Sequence, residues 1–151
     1  MAKAPGPRGP RGPRGPAGPA GPSDAYVRGF PNNRFGLPNA AIFSKLAEVN
    51  IAKAGNYVIW AKAYVTGDNA VVTCQLVAGS DMDQSIVSAA AGAPGSNGYP
   101  GTISNLVAHV YASPGVADFQ CELNNGIASI DNVQVAAIRV GNLTLVEGET
   151  P

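Results

Sequence analysis

Residues 6–23 read GPRGPRGPRGPAGPAGPS, with Gly6, Gly9, Gly12, Gly15, Gly18 and Gly21 in unbroken period three and proline after each of them. A strict glycine period is what a triple helix requires, because three polyproline-II chains wind about an axis too crowded for any Cβ. Proline in the second place presets φ and lowers the entropy cost of ordering. Arg8, Arg11 and Arg14 occupy the third place, so three wound chains display them in rows around the rod. At about 3 Å of rise per residue the rod is on the order of 50 to 55 Å long. Pro/Gly-rich composition alone also suits a disordered tail, but such a tail needs no period. Six triplets are too few to hold three chains together unaided, so the remainder of the protein must bring them into register.

The charge is split along the chain. Lys3, Arg8, Arg11, Arg14, Arg28 and Arg34 face one acid, Asp24, in the first 34 residues, whereas the remainder has four bases and nine acids. The net charge of zero therefore hides a basic arm and an acidic body. A basic arm of this kind seeks an acidic partner surface. It lacks interleaved aromatics, and a rod spreads its charge around a cylinder, so direct nucleic-acid binding is not expected. No run approaches the roughly 20 apolar residues of a membrane helix, and the start has no apolar signal core. The expectation is a chain that neither spans a membrane nor is exported by that route.

Valine and isoleucine number 23 against seven leucines, which favours pleated sheet over helix. The stretch 24–39 mixes turn formers with Tyr26, Phe30 and Phe35 and shows no clear period, so it reads as a linker whose aromatics pack at the base of the next domain or between chains. From residue 40 onward, β-rich runs at 42–51, 56–66, 70–78, 84–90, 102–112, 115–123, 128–135 and 137–146 alternate with turn signals, as in a sandwich or barrel. The alternation is plainest in 116–123, where Ala117, Phe119, Cys121 and Leu123 share one face. Residues 57–65 are apolar on both faces, with Lys62 their one charge. Two apolar faces imply a second burying surface, and contact between three heads supplies it. Tyr57, Trp60 and Tyr64 are the candidate residues for that contact.

A short Gly-X-Y rod followed by a β-rich module resembles the collagen-like proteins whose heads are trimeric jelly rolls of the C1q and tumour-necrosis-factor type. The segments AGNYVIWAKAYV at 54–65, VTCQLVAG at 72–79, FQCELNNG at 119–126 and AAIRVGNLT at 136–144 are similar to strand segments of bacterial and bacteriophage members. The resemblance implies a structural protein: a fibre or decoration on a phage particle, or a filament on a bacterial or spore surface. With only five residues ahead of the rod, the anchor falls on the basic arm itself, through Lys3, Arg8, Arg11 and Arg14.

Few residues are suited to chemistry. Cys74 and Cys121 each have apolar neighbours two residues away on both sides and point inward; a disulfide and a pair of buried thiols are both compatible, and the lack of an export signal favours thiols. His109 shares a face with Val107 and Tyr111 and has no acid or nucleophile spaced to make it a catalyst. Asp81 and Asp83 offer two carboxylates to a calcium ion, but a solvated turn is the better reading. Asn142-Leu143-Thr144 matches a glycosylation acceptor that matters only on export. The Gly-rich run 92–101 reads as a long apical loop with Asn97 and Tyr99 as candidate ligand contacts.

The chain is therefore expected to be all-β and homotrimeric. A collagen-like stalk and anchor (1–23) and a linker (24–39) precede a jelly-roll β-sandwich head (40–151). It is expected to be no enzyme and to use no metal or cofactor. Its expected role is a capsid decoration or short head fibre on the virion surface, assembled in the host cytoplasm, with itself and a capsid or other virion surface protein as partners. The alternative is an adhesive tip, on a phage tail or on a bacterial cell or spore surface, that binds a host surface glycan or protein.

Overall fold

The computed structural model describes residues 24–38, 41–90 and 100–146. The stalk glycines and the anchor residues Lys3, Arg8, Arg11 and Arg14 lie outside the described residues, as do Asn97 and Tyr99. The described chain forms six strands: β1 (Ala25–Gly36), β2 (Ser44–Ile51), β3 (Gly55–Ala78), β4 (Asp81–Ala89), β5 (Gly101–Tyr111) and β6 (Gly115–Val140). None of it is helical, and so no helix there is long and apolar enough to cross a membrane.

Strands β3 and β6 are long because each serves two layers. In β3, the odd positions Tyr57, Ile59, Ala61, Ala63 and Val65 are buried, and after a kink at Gly67-Asp68-Asn69 the even positions Ala70, Val72, Cys74, Leu76 and Ala78 are. The change of parity turns the strand around a corner while keeping its apolar side inward. Strand β6 turns beside it: Ala117, Phe119, Cys121 and Leu123 are buried before Asn124-Asn125-Gly126, and Ala128 and Ile130 after it. Gly126 has φ +77° and lies against the Asn69 carbonyl, where a Cβ has no room. The first layer thus runs β1, the later part of β6, the earlier part of β3, then β5; the second runs β2, the earlier part of β6, the later part of β3, then β4. All pairs are antiparallel. Eight strand segments in two such sheets make a jelly roll, as expected from the sequence.

The core lies between the layers, with Tyr57, Phe119, Leu76, Ile103 and Ile130 fully enclosed. Cys74 and Cys121 face each other across the β3–β6 ladder and are joined by a disulfide, both wholly buried. This corrects the expectation of reduced thiols, which rested on the absence of an export signal and not on the directly opposed positions of the two cysteines.

Two element assignments also change. Residues 25–36 are not a linker but the edge strand β1, paired with β6, and Tyr26, Phe30 and Phe35 pack against the core. A bulge between Phe30 and Arg34, around Pro31-Asn32-Asn33, breaks the period-two signal. The runs at 128–135 and 137–146 are not separate strands: β6 continues through Ala136 to Val140, and residues 141–146 lie beyond it.

Candidate interaction face

The register orients the molecule. Ala25 pairs with Ile138 and Gly36 with Ser129; Gly55 pairs with Tyr111 and Val65 with Gly101. One end of the first sheet therefore carries Asp24, where the chain enters from residues 1–23, together with Gly55, Tyr111 and Val140. The opposite end carries the corners at Asp68 and Gly126, together with Ala90 and Pro100, which bracket residues 91–99.

The outward face of this sheet divides into two halves. Nearest the arm, Val110 and Val140 flank Asn56; the next rung has Ala108 and Ile138 beside Val58; the next has Leu106 and Ala136 beside Trp60. Strand β1 extends these rungs, setting Val27 beside Ala136. Val27 is 73% exposed, Leu106 61%, Val110 57% and Ile138 53%. One rung further on, the chemistry changes: Ser104 and Gln134 flank Lys62, then Thr102 and Asp131 flank Tyr64, with Arg34 beyond. Arg34 Nε donates to Asp131 Oδ1 at 3.3 Å, and the Lys62 ammonium lies 5.5 Å from the centre of the Trp60 ring. A contiguous apolar patch on an exposed sheet face marks a surface meant to be covered.

Of the three residues expected at a chain–chain contact, the structure leaves two outside. Trp60 sits on the apolar half and Tyr64 on the polar half, whereas Tyr57 is wholly buried in its own chain. The correction follows from parity, since Tyr57 alternates inward with Ile59 and Ala61. Val27, Leu106, Val110 and Ile138 were missed, although the alternation Leu106, Ala108, Val110 against Asn105, Val107, His109 could have revealed half of them.

The groups suited to chemistry are engaged within the fold. The His109 ring stands 2.7 Å from an Asp81 carboxylate oxygen and packs edge-on against Tyr111. Asp83 Oδ2 accepts the Leu106 backbone N–H at 2.8 Å, and Asn105 donates to the Asp83 carbonyl and to Ser85 Oγ. Ser85 in turn donates to the Ser104 carbonyl. These bonds join β4 to β5, the edges of the two sheets, and cover strand edges that would otherwise invite pairing. Asp81 and Asp83 are thus each engaged with β5, and no group of three or more metal-ligating side chains occurs among the described residues. Burial pushes the Tyr111 hydroxyl up to about 12, and it donates to the Val116 carbonyl at 2.8 Å. Four clefts on the described surface are open and small, at about 170 to 270 Å³.

No family model matches the sequence, and no curated protein matches it. Among solved structures, the chain is similar to PRD1 vertex protein P5, at 16% identity and a TM-score of 0.52 over 81% of this chain and all of that one. It also overlaps Eiger TNF from S. frugiperda, at 9% identity and a TM-score of 0.44 over 84% of this chain and 96% of that one. A carbohydrate-binding module from the Cellvibrio mixtus lichenase 5A, solved with cellotriose, overlaps at 16% identity and a TM-score of 0.38 over 74% and 95%. At these identities what is shared with the vertex protein is the jelly-roll fold.

Proposed function

We propose that this chain is a trimeric structural protein of a virus particle, a capsid decoration or short head fibre whose heads meet through the apolar half of the β5–β3–β6–β1 face. The observation that carries the reading is the coincidence of two needs for company. The apolar patch of Val27, Trp60, Leu106, Val110 and Ile138, around the half-buried Val58, is open on a single chain, and the glycine period of residues 6–21 makes sense only for three chains. A closed ring of three buries the patch and gathers the three Asp24 positions, since patch and arm share one end of the head.

The likeness to a phage vertex protein supports a place on the virion surface. The arm, with Lys3, Arg8, Arg11 and Arg14, supplies the cations for an acidic site on a capsid or other virion protein. We take the head to be non-enzymatic, and the disulfide that occupies both Cys74 and Cys121 supports this by leaving neither as a thiol nucleophile. A second reading, an adhesive tip, draws on the far end of the head, which carries the corners at Asn69 and Asn125 and the residues that bracket 91–99.

Deletion of residues 1–23 separates the two. An anchoring arm predicts that the truncated head no longer attaches to particles. Undiminished decoration by the truncated head would overturn it.

A further inference from the structure

We propose that Asp24, Lys53 and Arg139 form a junction clamp that carries the threefold register of the heads into the triple-helical arm. The inference rests on the stalk reading above and deepens it. Asp24 follows the last Gly-X-Y triplet directly and is the only acid in the first 34 residues, so it is the one place where the root of the arm can pair with cations of the head. It is held from three directions. Its backbone carbonyl accepts the Arg139 N–H at 2.9 Å, its Oδ2 accepts Arg139 Nη1 at 3.3 Å, and both carboxylate oxygens accept Lys53 Nζ at 3.1 and 3.2 Å.

The partners are themselves fixed. Lys53 lies in the turn between β2 and β3, and its carbonyl accepts the hydroxyl of the fully buried Tyr57 at 3.0 Å. The Tyr26 ring packs on Tyr57, with centroids 6.2 Å apart. The Arg139 guanidinium lies across Gly55, whose φ of +147° and lack of a side chain make room for it: a Cβ there falls 2.7 Å from Arg139 Nε. The start of β1, the β2–β3 turn and the end of β6 thus converge on one residue.

Stability of the head does not explain this arrangement. The side chains are 24% (Asp24), 59% (Lys53) and 39% (Arg139) exposed, and ion pairs so open to water add little to folding. What they fix is position. A rod of six triplets depends on the effective concentration of its three roots, which falls roughly as the −3/2 power of the connecting length. With the carboxylate contacts in place, the root is fixed at Asp24 by side chain and backbone together; without them it is held by the single bond from the Arg139 N–H to the Asp24 carbonyl at the end of β1, and where that bond frays the free connection grows from about one residue to about three, up to Tyr26. Full fraying lowers closure about 5-fold per chain, and about 25-fold for the two closures that complete a rod, which sets the upper bound of the effect.

The test compares the full chain with Asp24→Ala and with Lys53→Ala, whose side chain lies in an exposed turn and leaves the head intact even if the first variant does not. Circular dichroism follows the triple helix, Trp60 fluorescence the head, and sedimentation the mass. The clamp predicts that both variants keep the mass and head melting of the parent while the rod equilibrium falls, by up to about 25-fold in Asp24→Ala and by less in Lys53→Ala, which keeps the Arg139 contacts to Asp24. Rod melting unchanged in Lys53→Ala, or rod and head weakened in step, would overturn it. A parent chain with no triple-helix signal would overturn the stalk reading and take the clamp with it.

Discussion

Truncating Leu106 to alanine separates folding from assembly. Leu106 stands on the outward face of β5 with 61% of its surface in water, so the single head gains little from it and the change stays within about 0.5 kcal/mol of neutral for folding. In the proposed trimer that surface is covered. Three carbon positions are lost, at about 0.8 kcal/mol each when fully buried, and about six-tenths of that is gained on association, or about 1.5 kcal/mol per chain. Three copies lose about 4.5 kcal/mol, which weakens trimer formation by about three orders of magnitude. Sedimentation equilibrium over a dilution series reads this as a shift from trimer to monomer at micromolar concentration. Ile127→Ala is the control, because Ile127 is 76% exposed but lies at the far corner, off the patch. An unchanged association curve for Leu106→Ala, or equal weakening by Ile127→Ala, would refute assignment of the contact to this face.

Three further outcomes follow. Gly12→Ala breaks the glycine period at its centre and removes the triple-helix dichroism while the head retains its mass; an unaltered rod signal means that residues 6–23 do not wind. Replacing Cys74 and Cys121 together by alanine releases a link spanning 47 residues, and chain entropy sets the loss of unfolding free energy at about 4 kcal/mol, measured by denaturant titration at fixed protein concentration; a loss under about 1 kcal/mol contradicts this. The Asp24 carboxyl is held below its ordinary value of 3.8, first by the Lys53 hydrogen bond and then, against desolvation, by the Lys53 charge and the Arg139 hydrogen bond and charge, with Tyr57 as a further ionisable neighbour. A lowered value means that the clamp is intact above 3.8 and is lost as pH falls below it. Rod melting in the parent, compared with Asp24→Ala, therefore holds from pH 7 to 5 and converges with the variant under strong acid; convergence already at pH 6 would exclude Asp24 as the group responsible.

The sequence made the sheet legible because alternation is a local property. Phe119, Cys121 and Leu123 announce an inward face without help from the rest of the chain, and the corner at Asn124-Asn125-Gly126 is marked by its residue types. What stayed hidden depends on pairing across distance. Strand β1 is held by β6, 93 to 113 residues away, and the Pro31-Asn32-Asn33 bulge erases its period. The disulfide follows from Cys74 standing opposite Cys121, a register that no spacing reveals. Val27, Trp60, Leu106 and Ile138 belong to four strands and become one patch only when the ladder is assembled. Tyr57 belongs with the core for the same reason: the parity that exposes Trp60 buries its neighbour three positions earlier.

The clamp adds a link between those scales. Asp24 is unremarkable in sequence beyond being the lone acid of a basic arm, yet the fold brings to it a turn and a strand end from far along the chain. A half-buried aspartate with three bonds to its carboxylate and one to its backbone carbonyl contributes through placement, which is what a short rod needs from the domain that gathers it.

The central claim is that three heads assemble through an exposed apolar half-sheet. Light-scattering mass of the intact chain at micromolar concentration tests it most directly. The account predicts three times the 15.3 kDa of one polypeptide, and a particle weighing no more than a single chain would contradict it.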